Sequence, residues 1–335
     1  MTAPLATHRT MPDLAQVLGR HLFTVLAACR PHAGRLTRVD ACTGGNVSHV
    51  HRVCGEAGSV VVKVRGHRFA RIPIATDPAL IAVEHRALTL HHALLPDLFP
   101  QVLAFLPEAH AMVMTDVFPD RRTWREHLDE RGATAEECTR LGTALARVHL
   151  ATAGLPPLRE GDGDDLFRSE HAYGYCLRAA GHHALDEACR RLDARPGRQL
   201  VLGDLSPKNI SLAAGRTAIV DLDNVHTGAP LFDVGYLLAH LVLHHLARPE
   251  HLHPLTAALL DAYAPAAAGW WRGDDLLAAV AAGVLLYRLE ARTVPYPPTA
   301  PPATADRVRR GLLRLLDTGP FTVPELLQSA RQVAQ

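Results

Sequence analysis

The chain has 335 residues, 48% hydrophobic and only 5% aromatic, which at roughly 100 to 200 residues per domain suggests two domains or one two-lobed unit and excludes disorder throughout. Thirty-five basic and 34 acidic side chains leave a net charge of +1, so no global field recruits nucleic acid or an anionic membrane. The longest apolar runs, such as Val234 to Leu246, fall short of the ~20 residues that cross a bilayer, and six cysteines without a CxxC pair fit a reducing, cytoplasmic setting.

In chain order, apolar residues at helical spacing (Leu14, Val17, Leu18, Leu22, Val25, Leu26) predict a leading helix over 11–30 that serves as a packing element. Three β-like runs follow, Leu36 to Cys42, Val47 to Cys54 and Ser59 to Val64, separated by turn-formers at Thr43-Gly44-Gly45-Asn46 and at Gly55 to Gly58, which reads as an antiparallel meander. Pro78 precedes an amphipathic helix through Leu95, and strands are predicted at Gln101 to Leu106 and Ala111 to Val117. After Phe118-Pro119-Asp120 the periodicity turns helical, from Trp124 to Leu150 and again beyond Leu166. The exception is Leu200 to Asp223, where short strands flank a polar loop. Helices resume from Pro230, interrupted by a proline-rich connection at Tyr296 to Pro302. The expected fold is therefore α+β and two-lobed: a small antiparallel-sheet lobe over 1–117 and a mostly helical lobe over 118–335.

The loop Leu202-Gly203-Asp204-Leu205-Ser206-Pro207-Lys208-Asn209 places a carboxylate and an amide five residues apart, and Asp221-Leu222-Asp223 follows after a β-like run. Phosphoryl transfer needs a carboxylate to orient the acceptor hydroxyl and take its proton, and further oxygen ligands to hold Mg2+ on the phosphates; Asp204, Asn209 and Asp221 supply those groups. Taken alone, an Asp-x4-Asn pair reads equally as an Asx turn.

With the following Ile-Val-Asp-x-Asp and the turn Gly228-Ala229-Pro230-Leu231-Phe232-Asp233, the chain resembles the aminoglycoside phosphotransferase and choline kinase family, which has the protein-kinase-like fold. The resemblance implies Asp204 as catalytic base, Asn209 and Asp221 as Mg2+ ligands over the metal-binding segment 219–223, and Asp233 as a structural carboxylate at a helix start. Asp223 is read either as a second metal contact or as structural. One departure is that Leu202 stands where the family has a histidine that tethers the base loop to the metal-binding strand.

The first lobe fits the same resemblance. The turn carrying Gly44, Gly45, Asn46 and Ser48 is suited to cover phosphates, because glycine lets backbone N–H groups approach closely. Lys63, in Val60-Val61-Val62-Lys63-Val64, points to solvent or to a ligand; in the kinase fold it holds the α- and β-phosphates, paired with a helix glutamate for which Glu84 is the candidate. By position, Thr115 and Val117 offer backbone groups to adenine, with Met114 behind the base. Of the 35 basic residues, only Lys63 and Lys208 are lysines. Lys208 is expected to assist catalysis at the phosphoryl group, with a surface lysine, or one neutralising Asp204, as the alternatives.

These features lead to an enzyme that moves the γ-phosphate of ATP, with Mg2+, to a hydroxyl of a small molecule. An antibiotic of aminoglycoside type comes first, and a sugar of the methylthioribose kinase type or a non-catalytic nucleotide binder is the alternative. The acidic stretch Glu160, Asp162, Asp164, Asp165 and Glu170 offers a surface for a polycation, or a solvated loop. Neither nucleic acid nor membrane is expected as a partner, and a monomer or homodimer fits. The paired histidines and the His240/His244 spacing are read as solvated or core residues rather than as zinc ligands.

Overall fold

The computed structural model describes residues 11–42, 47–70, 74–195, 197–267, 274–290 and 301–334. The chain divides into two compact units, Met1–Pro119 and Asp120–Gln335.

The first unit opens with α1 (Met11–Leu18) and α2 (Leu22–Ala33) rather than one continuous helix. The break falls at Gly19, whose φ of +50° lies outside the helical region, and a short 3-10 turn joins the two pieces. Next come β1 (Leu36–Ala41), β2 (His49–Gly55), β3 (Gly58–Val64), α3 (Ile81–Leu94), β4 (Val102–Leu106) and β5 (Ala111–Thr115). The five strands form one antiparallel sheet in the order β1-β2-β3-β5-β4, so β1 to β3 make the expected meander. Strand alternation sorts β3 into two faces. Val60, Val62 and Val64 turn towards Leu14, Leu18, Val25, Leu26 and Cys29 of the leading helices and are buried with them in one cluster. Burying each such side chain is worth about 1.5–3 kcal/mol, which is why the leading helices belong to this lobe. Val61 and Lys63 occupy the opposite face.

In the second unit, the helical periodicity expected from Trp124 to Leu150 forms two helices, α4 (Trp124–Arg131) and α5 (Ala135–Ala151). Gly132, at φ +79°, ends the first, and Thr134 starts the second with a capping box to Glu137. Short helices α6 (Gly163–Phe167) and α7 (Gly174–Cys176), joined by a π-turn, lead to α8 (His183–Ala194). Four short strands then carry the loops: β6 (Gln199–Val201) pairs with β9 (His226–Gly228), and β7 (Ile210–Ser211) pairs with β8 (Ala218–Ile219). Helices α9 (Leu231–His244), α10 (Leu252–Tyr263), α11 (Asp275–Glu290), α12 (Pro302–Asp317) and α13 (Val323–Ala334) complete the unit. All residues of α9 are buried, as expected for a helix that is apolar all round and sits at the centre of a lobe. It lies close to α11 because Gly235 has no side chain: a Cβ there would stand 2.6 Å from Val280 Cγ1. Most of the proline-rich connection, Tyr296 to Ala300, lies outside the described residues. No described helix is long and apolar enough to cross a membrane, and all six cysteines are free thiols.

Candidate active site

In the first unit, Lys63 leaves β3 on the face opposite the valine core and meets Glu84 of α3, with Nζ 2.6 Å from the carboxylate. Both side chains are almost wholly buried, at 5% and 1% exposure. Of the two orientations open from the sequence, solvent is therefore excluded. Met112, the direct β5 partner of Lys63, and Met114, the partner of Val61, share this face and are buried. The Thr115 N–H donates to the Gln101 carbonyl at 3.0 Å, and the Thr115 hydroxyl accepts the Gln101 N–H at 3.0 Å. With its N–H already used, any backbone hydrogen bond between Thr115 and a base must use the Thr115 carbonyl as acceptor.

The residues after β5 are held by a cluster that the sequence reading missed. Asp116 receives the Arg52 guanidinium through both carboxylate oxygens, the Ser59 hydroxyl at 2.7 Å and the Phe118 N–H at 3.2 Å. Burial disfavours the Asp116 charge, but Arg52 and Ser59 outweigh it and hold the carboxyl below the ordinary carboxylate range. This fixes the backbone on both sides of Val117. Gly44, Gly45 and Asn46 lie outside the described residues. Ser48, directly after them, is 5% exposed, and its hydroxyl has no hydrogen-bond partner among the described residues, so a phosphate oxygen is a suitable acceptor for it.

In the second unit the loop after β6 is hung from a single carboxylate. Asp233, in the first turn of α9 and fully buried, accepts the backbone N–H groups of Leu202 at 2.6 Å and Gly203 at 2.9 Å. His149 of α5 reaches the same carboxylate with Nε2 at 3.1 Å, while its Nδ1 lies 2.7 Å from the Tyr263 hydroxyl. The ring thus bridges the Asp233 carboxylate and the Tyr263 hydroxyl. The turn requires glycine at 203: φ is +77°, and a Cβ would stand 2.4 Å from the Asn224 carbonyl oxygen.

Asp204 follows directly, with its side chain 14% exposed. Asn209, on the 3-10 turn Pro207–Asn209, donates its amide nitrogen to the Asp204 carbonyl at 3.0 Å, leaving its amide oxygen as the atom that could meet a cation. The Asn209 carbonyl in turn accepts the Val220 N–H at 3.0 Å, and β7 pairs with β8. These backbone bonds tie the loop bearing Asp204 to the segment bearing Asp221. Leu202 leaves that tie intact, so the alignment of Asp221 does not depend on apolar packing alone. Asp221 has φ +69°, a left-handed conformation that costs energy in a residue with a Cβ. Asp223 is half-buried, and its backbone carbonyl accepts from Arg159 at 3.0 Å.

Lys208 is not a surface residue pointing outward. Its Nζ lies 3.4 Å from Asp204 Oδ2 and 3.6 Å from Asp221 Oδ2, bridging the two carboxylates. Burial works against the ammonium charge, but Asp204 and Asp221 raise its pKa above the ordinary lysine value. On Oδ1, Asp204 accepts the Tyr236 hydroxyl at 2.8 Å, and Arg288 Nη2 lies 3.3 Å away; Arg288 also donates to the Tyr236 oxygen. Despite desolvation, Lys208, Arg288 and Tyr236 together hold Asp204 well below the ordinary carboxylate range. Tyr236 and Arg288 were missed by the sequence reading. An apolar helix containing a tyrosine, and an arginine 84 positions from Asp204, carry no local signal of their meeting.

His240 and His244 each lie within hydrogen-bonding distance of a side chain. His240 Nε2 accepts from Arg288 Nε at 3.2 Å, His244 Nδ1 lies 3.1 Å from Asp129, and burial lowers the pKa of both rings. Among the described residues no group of three His, Cys, Asp or Glu is placed to hold a metal ion.

The model of the phosphotransferase enzyme family, APH, matches residues 47–276. Among solved structures, a choline/ethanolamine kinase family protein from Mesorhizobium loti is similar over 96% of this chain and 98% of its own, with a TM-score of 0.55 and 18% identity. An amicoumacin kinase, solved in complex with AMP-PNP, Ca2+ and amicoumacin, matches over 93% and 98% with a TM-score of 0.54 and 14% identity. An aminoglycoside phosphotransferase from Alicyclobacillus acidocaldarius matches over 100% and 98% with a TM-score of 0.52 and 13% identity. No curated protein matches the chain significantly. The loop hung from Asp233, the hairpin that carries Asp221 and the buried Lys63–Glu84 pair thus lie within the matched span, and the chain belongs to the APH phosphotransferase enzyme family, as a small-molecule phosphotransferase with a kinase-like fold.

Proposed function

We propose that this phosphotransferase uses ATP with Mg2+ to phosphorylate a hydroxyl of a small molecule, with Asp204 as the residue that orients the acceptor. The observation that carries this reading is the junction of Asp204, Asn209, Lys208 and Asp221 on two backbone-linked loops. The donor set suits Mg2+: hard oxygen ligands, few in number, as expected when phosphates and water complete the shell. Asn209 and Asp221 hold the metal in this reading, Asp223 stands beside them, and the ion neutralises charge on the phosphates when bound. In the other unit, Lys63, fixed by Glu84, meets the α- and β-phosphates. The turn of Gly44, Gly45 and Asn46 with Ser48 covers them, and Thr115, Val117 and Met114 receive the base.

Asp204 holds the acceptor hydroxyl in line and accepts its proton. Its strongly stabilised carboxylate is a weak base, which suits a loose transition state in which the proton leaves late and positioning supplies most of the rate. Lys208, poised between Asp204 and Asp221, supplies positive charge to the phosphoryl group as its negative charge redistributes in the transition state.

For the acceptor, an antibiotic hydroxyl of aminoglycoside type is the first reading, with self-resistance or resistance as its purpose. The second, a sugar-type acceptor, is favoured by a specific observation: two of the five carboxylates in the acidic stretch that would meet a polycation already have partners within the chain. Asp164 is buried and accepts the Thr227 N–H at 2.7 Å, and Asp165 pairs with Arg168 at 2.7 Å.

The test is ADP release with Mg·ATP over antibiotics, methylthioribose, choline and amino alcohols, run beside Asp204→Asn. Transfer should fall by ~10²–10⁴ in that variant while ATP affinity is kept, as for loss of a general base. Near-parental kcat in Asp204→Asn removes Asp204 from this role, and ATP binding without turnover of any acceptor favours a non-catalytic relative.

A further inference from the structure

The cluster around Asp116 stands on one face of the five-stranded sheet. Arg52 of β2 is paired with Val61 of β3, and Val61 with Met114 of β5, so these three form a row across the face that also carries Lys63. Ser59, two residues before Val61, falls on the same face. The valines of β3 pack the other face against the leading helices. Arg52 and Asp116 are nevertheless withdrawn from water, with side-chain exposures of 11% and 9%. Burying two charges costs about as much as their attraction returns, and an apolar pair holds strands as well, so stability alone does not explain an ion pair here.

What the cluster does hold is a backbone. Asp116 Oδ1 accepts the Phe118 N–H at 3.2 Å, an Asx turn that encloses both peptide groups of Val117. A turn of this kind opens easily when its carboxylate is free to swing. This carboxylate is not: Arg52 Nη2 lies 3.1 Å from Oδ1, Arg52 Nε donates to Oδ2, and the Ser59 hydroxyl donates to Oδ2 at 2.7 Å. At the other end the Thr115 N–H is engaged by the Gln101 carbonyl. Between these fixed points the Val117 N–H has no partner among the described residues. The order of the backbone groups, the Thr115 carbonyl and then the Val117 N–H, is thereby fixed. Purines differ in this order. Adenine offers a donor at N6 beside an acceptor at N1, and guanine an acceptor at O6 beside a donor at N1. A fixed acceptor followed by a fixed donor matches adenine, whereas guanine would set oxygen against oxygen and N–H against N–H.

We propose that Arg52, Asp116 and Ser59 form a clamp that determines nucleotide specificity: by fixing the backbone from Thr115 to Phe118, it makes the site select adenine over guanine nucleotides. The inference rests on the reading above that this segment receives the base. The three side chains are positioning residues, acting through the Val117 backbone and not on the base itself.

The experiment measures Mg·ATP and Mg·GTP binding by calorimetry, with no acceptor needed, and follows folding by urea unfolding. The parent should bind Mg·ATP at least tenfold more tightly than Mg·GTP. In the Arg52→Met, Asp116→Leu double variant, which removes the clamp without leaving a buried charge unpaired, that ratio should shrink at least threefold because ATP affinity falls more than GTP affinity. A cluster that only stabilises the sheet predicts equal losses for the two nucleotides and an unchanged ratio. If the double variant does not fold, Ser59→Ala, which removes one donor and keeps the ion pair, should shrink the ratio at least threefold. A parent that prefers ATP by less than tenfold, or a ratio that shrinks less than threefold in the folded variant, overturns the inference and leaves ATP binding itself intact. A parent that binds neither nucleotide defeats the nucleotide reading and the inference with it, and the two failures are thereby told apart.

Discussion

The carboxylate of Asp233 accepts the backbone N–H of Gly203 at 2.9 Å, so the first turn of α9 holds the residue that immediately precedes Asp204. The position of Asp204 is thereby set by a buried hydrogen bond and by a left-handed backbone that only glycine adopts without strain.

Gly203→Ala should accordingly damage both stability and activity. A Cβ 2.4 Å from the Asn224 carbonyl forces a backbone shift, and with φ at +77° the cost is roughly 2–4 kcal/mol. Urea unfolding should show a lowered midpoint with an unchanged slope, and kcat should fall more than ATP affinity. A midpoint equal to the parent's would mean that the loop is not held in this way.

Asn209→Ala and Asp221→Ala should each raise the Mg2+ concentration needed for half-maximal activity, because in the proposed reading each removes an oxygen ligand for a hard cation. Asp221→Ala should have the larger effect, since it removes a charge and also one of the two carboxylates that Lys208 bridges. Mg2+ titrations of both variants that overlay the parent's would refute the metal assignment.

Lys63→Ala and Glu84→Ala should both destabilise the first unit, by about 3–5 kcal/mol each, because either leaves a charge buried without its partner. The Lys63→Met, Glu84→Leu double variant should cost much less than the sum of the single losses. ATP affinity separates the roles. Calorimetry should show weaker ATP binding for every variant lacking Lys63, and a smaller loss for Glu84→Gln. Unchanged ATP affinity in the folded double variant would remove Lys63 from the nucleotide site.

Acid should destabilise the second unit through His245. Its Nδ1 lies 2.8 Å from the Leu241 carbonyl, its Nε2 accepts the Ala133 N–H at 3.1 Å, and burial lowers its pKa to about 4 from an ordinary 6.5. The unfolded chain binds a proton near pH 6.5 and the folded chain only near pH 4, so stability is complete above pH 6.5 and falls as pH drops between those values. The loss approaches roughly 3 kcal/mol at the acid end. Urea unfolding at pH 7 and pH 4.5 measures it, and His245→Gln should flatten the difference. An equally steep pH dependence in that variant would place its origin elsewhere.

Much of the fold and of the candidate site was legible in the sequence, where the information is local. Alternating valines marked β3, turn residues separated the meander strands, and the spacing of Asp204, Asn209, Asp221 and Asp233 is a chain property that survives any packing. Helix continuity was less legible. The predicted runs over 11–30 and 124–150 are interrupted at Gly19 and Gly132, where apolar periodicity continues across a positive φ that periodicity cannot register. Tertiary structure alone decided which partner each ionisable group meets. Whether Lys63 faced water or Glu84 depended on which face of the sheet α3 covers. Lys208 bridges two carboxylates because a hairpin brings Asp221 back to the base loop. Arg288 and Tyr236 reach Asp204 because Gly235 lets α9 and α11 approach closely. Burial and long-range proximity set charge and reactivity at these residues, and neither is encoded in the spacing of residues along the chain.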